Sequence, residues 1–132
     1  MIRNFRLTLI FFFTLSLVSI NYANPFFKES KLPFCAPRFD KIKDADFKPA
    51  FEEGIKQQLA EVDKIANNPK PSTFDNTLIP LEKSGQLLTR VSLVFNAITG
   101  ANTDTVLQKL QEEISPKLAA QSDAIYLNSK LF

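Results

Sequence analysis

Residues 81–100, LEKSGQLLTRVSLVFNAITG, constrain the fold of this chain more than any other stretch. Leu81, Ser84, Leu88, Val91, Phe95 and Ile98 recur at alternating steps of three and four, and Leu87 and Val94 widen the stripe, so all share one helix face. Glu82, Lys83, Gln86 and Arg90 take the other face. An apolar stripe roughly 140° wide has to be buried, so the segments before and after it are read as what covers it. Gly100 follows the last apolar residue and is expected to stop the helix in the left-handed region. Leu93 projects from the polar face and is expected to be exposed if the helix belongs to a larger body.

Two further stripes flank this one. Phe51, Ile55, Leu59, Val62 and Ile65 form the first, capped by Asp44 or Asp46, with Pro49 in its opening turn and Asn67-Asn68-Pro69 as its stop. Glu52 and Lys56 are spaced for an ion pair along it. Val106, Leu107, Leu110, Ile114, Leu118 and Ile125 form the last stripe, capped by Asn102 or Thr103, with Asp104 near its positive end and a kink at Pro116. Between the first two stripes the local signals conflict. Thr73 with Phe74-Asp75-Asn76 reads as a helix start, yet Pro80 would then clash with the carbonyl of Asn76. Either the regular helix begins at Asn76 or Thr77, or it is kinked at Pro80. Tyr126, Leu127, Leu131 and Phe132 make an apolar end with no stop signal, and the chain is read as continuing in a larger protein.

Residues 1–23 read as a secretory signal peptide: Arg3 and Arg6 precede a mostly apolar run from Leu7 to Ile20, with cleavage expected after Ala23. That run, interrupted by Thr14, Ser16 and Ser19, is short for a membrane span. The expected location is therefore periplasmic or secreted. Residues 24–43 hold Pro25, Pro33 and Pro37 and read as an extended arm. Phe26, Phe27, Leu32, Phe34, Phe39 and Ile42 make it too apolar for a solvated linker, so it is expected to lie in a groove on a larger body. Residues 44–132 form the helical part.

The chemistry open to this chain is narrow. After the leader, 14 basic residues face 14 acidic ones without a basic run, which argues against nucleic acid, or an anionic membrane after signal cleavage, as partners. There is no histidine, which removes the commonest general base and metal ligand. The one cysteine, Cys35, is read as a small buried apolar side chain in preference to a reactive thiol or an intermolecular bridge. Glu52 with Glu53 and Glu112 with Glu113 are adjacent on their helices, point about 100° apart and do not converge on one substrate. No phosphate loop and no calcium loop is present, and Asp44-Ala45-Asp46 reads as a helix cap. No catalytic, cofactor-binding or metal-binding residue is assigned.

Asn24-Pro25-Phe26, Leu32-Pro33, Ala36-Pro37 with Phe39-Asp40, Pro49-Ala50-Phe51 with Glu53-Gly54, Ala60-Glu61 with Ile65-Ala66, and Asn68-Pro69 follow one another in a distinctive order. Phe74, Asn76-Thr77, Leu81-Glu82-Lys83-Ser84-Gly85, Leu87-Leu88, Arg90-Val91, Phe95 and Ile125-Tyr126-Leu127-Asn128 continue it. In this order and spacing the chain after its leader resembles the amino-terminal segment of the thimet oligopeptidase family of zinc metallopeptidases, on its dipeptidyl carboxypeptidase branch. Pro80 departs from the family, which has an ordinary helix former there. The resemblance implies a mostly helical enzyme that hydrolyses short peptides, with zinc held by a downstream His-Glu-x-x-His helix and a further Glu. None of those positions exists in this chain. The fold class expected is all-α: an extended Pro-rich arm followed by three amphipathic helices, an incomplete part of a larger helical peptidase.

Two functions follow as expectations. The first is the non-catalytic amino-terminal portion of an exported zinc peptidase, inactive alone, with the missing catalytic portion as its partner and zinc and short peptides belonging to the intact enzyme. The second is a free-standing secreted helical bundle that binds a protein or peptide.

Overall fold

The long helix that ends at Ala66, not the central stretch, is the element against which the others pack. A computed structural model describes residues 23–131; the expected leader before Ala23, and Phe132, lie outside the described residues. Four α-helices follow the arm: α1 (Asp44–Ala66), the short α2 (Ile79–Glu82), α3 (Gln86–Ala101) and α4 (Thr105–Tyr126). The described residues contain no β-strand, in keeping with the all-α expectation. α1 lies between α3 and α4, and these two outer helices meet each other far less than either meets α1.

Phe47, Ala50 and Phe51 from α1, Leu87, Leu88, Val91, Val94 and Phe95 from α3, and Leu107, Leu110 and Ile114 from α4 form one buried cluster. Four phenylalanine rings run through it. Phe26 of the arm lies 5.2 Å from Phe47, Phe47 lies 5.2 Å from Phe95, and Phe95 lies 5.3 Å from Phe51. The last two contacts are edge-on at 70° and 84°, the geometry that sets the positive ring edge against a negative face. Gly54 makes the close approach of α1 and α3 possible, because a Cβ there would come within 3.0 Å of the backbone N and Cα of Leu88.

Helix ends and prolines depart from the sequence reading in six places. The regular helix does not span residues 81–100: Gly85 adopts φ +70°, left-handed backbone that glycine accommodates without strain, and separates α2 from α3. Gly100 is not a stop; it lies inside α3, which ends at Ala101 with Asn102 as its cap. The conflict around Pro80 is resolved by a wide turn. Thr73 caps it, its hydroxyl accepting from Asn76 N at 3.1 Å while Thr73 N donates to Asn76 Oδ1 at 2.8 Å. Phe74–Leu78 then forms a π-turn in which Ile79 N donates to the Phe74 carbonyl five residues back. The extra residue per turn takes the Asn76 carbonyl out of the position where an α-helix would drive it into the Pro80 ring.

Pro49 is the sixth residue of α1, a turn later than expected, and α4 runs through Pro116 as one uninterrupted helix. Each proline deprives the carbonyl four residues back of its donor. Ala45 and Glu112, which carry those carbonyls, are exposed residues, so water can serve them. The cap of α4 is Asp104, whose carboxylate accepts from Val106 N at 2.9 Å and Leu107 N at 2.8 Å, where Asn102 or Thr103 was expected. At α1 the cap position falls on Lys43, not on Asp44 or Asp46; both acids lie in the first turn, where Asp46 accepts from Lys43 N at 2.8 Å. Val106 faces solvent and leaves the α4 stripe.

Candidate functional site

The first half-turn of the arm is built onto the helices. Asn24 is buried; its Nδ2 donates to the Asp46 carbonyl at 2.7 Å and its Oδ1 accepts from Phe26 N at 3.0 Å. That turn inserts the Phe26 ring between α1 and α3, and Arg90 Nη2 donates to the Phe26 carbonyl at 3.0 Å. Beyond Phe26 the arm leaves the core: Phe27, Leu32, Phe34 and Phe39 are all exposed, so only part of it lies in a groove of these helices.

Cys35 corrects the sequence reading. It is exposed, not buried, and both it and Phe34 carry positive φ (55° and 58°). The Glu29 carboxylate, accepting a hydrogen bond from the thiol and placing its charge beside it, pushes the Cys35 pKa up, while Arg90 pulls it down. A thiol kept protonated near neutral pH is a poor nucleophile.

The acidic pairs separate as helical neighbours must. Glu52 does not pair with Lys56; it meets Lys117 of α4 at 2.9 Å, while Lys56 approaches Glu53 at 3.6 Å. Lys117 also reaches Glu113 at 3.1 Å, and Glu113 takes Lys48 at 2.7 Å. An alternating network Glu52, Lys117, Glu113, Lys48 thus crosses from α1 to α4. The hydrogen bonds from Lys48 and Lys117 hold the Glu113 carboxyl below its ordinary range, and Glu52 and Glu113 raise Lys117. Glu53 is lowered by the hydrogen bond from Gln57. Glu53 and Glu113, held ionised in this way, are poor proton donors at neutral pH, and Glu52, Glu112 and Glu113 are exposed.

A second polar group fixes the junction of α1, α3 and α4. Glu61 Oε2 accepts from Gly85 N at 2.8 Å, Gln121 Nε2 donates to Gln58 Oε1 at 2.9 Å, and Gln58 Nε2 lies 3.5 Å from the Ser84 hydroxyl. Nothing in the stripe patterns announced this group. The Ser84-Gly85 pair was its one local signal, a dipeptide that marks turns. Next to it, between α1 and α4, an apolar groove of about 340 Å³ is lined by Ile55, Leu59, Ala120 and the stems of Glu52, Lys117 and Gln121. Leu93, 66% exposed, stands on the outer face of α3, as expected for a helix that belongs to a larger body.

Zinc does not fit these residues. With no histidine in the chain, and no group of three or more His, Cys, Asp or Glu side chains among the described residues placed to hold a metal ion, there is no ligand set for it here. The geometry is that of a folded scaffold with open faces.

Comparison with known proteins accounts for such a scaffold. Over 109 residues the chain is 52% identical to the dipeptidyl carboxypeptidase of Salmonella typhimurium and 50% identical to that of Escherichia coli. The chain matches a segment of dipeptidyl carboxypeptidase. The resemblance read from the ordered motifs is thereby borne out. The matched stretch is 83% of this chain but only 16% of either dipeptidyl carboxypeptidase. No protein-family model matches the chain.

Proposed function

We propose that this chain is the non-catalytic amino-terminal portion of an exported zinc metallopeptidase of the dipeptidyl carboxypeptidase type, which hydrolyses short peptides by releasing carboxy-terminal dipeptides. The observation that carries this reading is the identity of about one half, maintained over 109 residues, to enzymes of which that stretch is 16%. The zinc ligands and the general base of such an enzyme reside outside this segment, so the chain alone is inactive. Its task is to fold, through the four-ring core, into a helical face against which the catalytic portion packs. Arg3, Arg6 and the apolar run that follows support export, with cleavage after Ala23.

Peptide hydrolysis by the purified chain with added zinc tests the inactive part of the proposal. No dipeptide release is expected, and chelator-sensitive release would overturn it. Export is tested separately by sequencing the amino terminus of the protein recovered from the periplasm; Asn24 as the first residue is expected, and Met1 would contradict it.

A further inference from the structure

The charge of this chain is not spread evenly. Outside the leader its basic and acidic residues balance, yet Lys28, Lys31, Arg38, Lys41 and Arg90 all line one groove of about 360 Å³ between the arm and α3, with Glu29 as the one acid in its wall. That volume falls in the range of small-ligand sites. The groove's apolar lining is Phe26, which is buried, Pro25, Pro37 and Ile42, which are half-buried, and the exposed Leu32.

Arg90 is the fixed point of the groove. Its Nη2 is tied to the Phe26 carbonyl at 3.0 Å, which immobilises the guanidinium, while its Nε is buried without a hydrogen-bond partner. Because that Nε has almost no accessible surface, an anion in the groove meets the guanidinium through its remaining N–H groups. Arg38 is already engaged by Asp40 through two hydrogen bonds of 2.9 and 2.8 Å. Lys28 and Lys31, on the rim, have no ion-pair partner among the described residues.

We propose that this groove binds a small polyvalent anion, a molecule bearing two or more carboxylate or phosphate groups, with Arg90 holding one group and Lys28 and Lys31 the other. A fixed guanidinium favours a planar or tetrahedral oxyanion, and the flexible lysines accept anions of differing length. This site is separate from the peptidase reading, since it is complete within residues 25–90 and uses none of the missing catalytic portion.

Isothermal titration of the full chain with citrate and with inorganic pyrophosphate tests it. Saturable one-to-one binding of at least one probe, weakening as salt is raised, is expected; citrate alone assigns the site to carboxylates, pyrophosphate alone to phosphates, and both to charge. Lys28→Gln with Lys31→Gln should weaken binding about fivefold or more with an unchanged circular dichroism spectrum, because both side chains stand clear of the core. Arg90→Gln should abolish binding. If that variant also loses its fold, the lysine pair decides the matter. Lys56→Gln with Lys64→Gln, exposed on α1, should change nothing. Absence of saturable binding to either probe, or equal weakening by the α1 pair, would overturn the proposal.

Discussion

Replacing Gly85 with alanine separates two costs that the structure places at one atom. At φ +70° a Cβ strains the backbone by about 1–2 kcal/mol. That Cβ would also lie 2.4 Å from Gln58 Cδ and 2.6 Å from both its Nε2 and Oε1. The end of a glutamine can swing aside, so the overlap becomes the loss of the Gln58 to Gln121 hydrogen bond, about 0.5–1.5 kcal/mol. Gly85→Ala should therefore lower stability by about 1.5–3.5 kcal/mol in total, a large share of the roughly 5–15 kcal/mol that holds a small domain. In a Gln58→Ala background only the backbone strain remains, and the same substitution should cost about 1 kcal/mol less. Urea unfolding of the four chains of this cycle, followed by circular dichroism, measures both numbers. A neutral or stabilising Gly85→Ala would refute the left-handed break and restore one helix across residues 81–100. Equal costs in the two backgrounds would refute the Gln58 contact.

Other perturbations test other parts of the fold. Gly54→Ala puts a Cβ 3.0 Å from the Leu88 backbone, which cannot swing aside. Overpacking of about 1–3 kcal/mol should outweigh the gain of about 1 kcal/mol in helix propensity and lower the urea midpoint. Phe95→Leu keeps the core filled but removes the edge contacts to Phe47 and Phe51, and should cost about 1–2 kcal/mol by the same assay. Glu113 has a lowered pKa in the fold, so its contribution is present above the unfolded value and lost as pH falls through the folded one. Glu113→Gln should accordingly flatten the fall of the melting temperature between about pH 5 and 3 relative to the parent chain. Leu93→Gln should leave the isolated chain within about 0.5 kcal/mol of its parent and weaken only its assembly with a catalytic portion.

What the sequence made legible was burial. Phe51, Val62, Leu88, Val91, Phe95, Leu107, Leu110, Ile114 and Ile125 are all inside, because helical periodicity reports burial directly. Phe47, fully buried one turn before Phe51, extends the same line. The break at Gly85 has only the Ser84-Gly85 dipeptide as a local signal; the contacts around it involve Glu61, Gln58 and Gln121, residues up to 36 positions away. Gly100 met the rule for a helix stop, yet a glycine can continue a helix wherever the next residues supply the end, as Ala101 and Asn102 do. The arm hid the groove for the same nonlocal reason. Arg90 read as one polar residue on an exposed face, and only the path of the chain from Phe26 to Ile42 brings Lys28 and Lys31 to it. Cys35 was placed inside on residue type alone, where the left-handed turn at Phe34 and Cys35 turns it to solvent.

The central claim is that this chain supplies the non-catalytic segment of a larger peptidase. Its most direct test is complementation: the Salmonella typhimurium dipeptidyl carboxypeptidase is prepared without the stretch that this chain matches, and dipeptide release is measured before and after adding the chain. The account predicts a low starting activity that rises with added chain to saturation, is abolished by a zinc chelator, and rises less with Leu93→Gln. Activity that stays unchanged by any amount of the folded chain would contradict it and leave a free-standing helical module in its place.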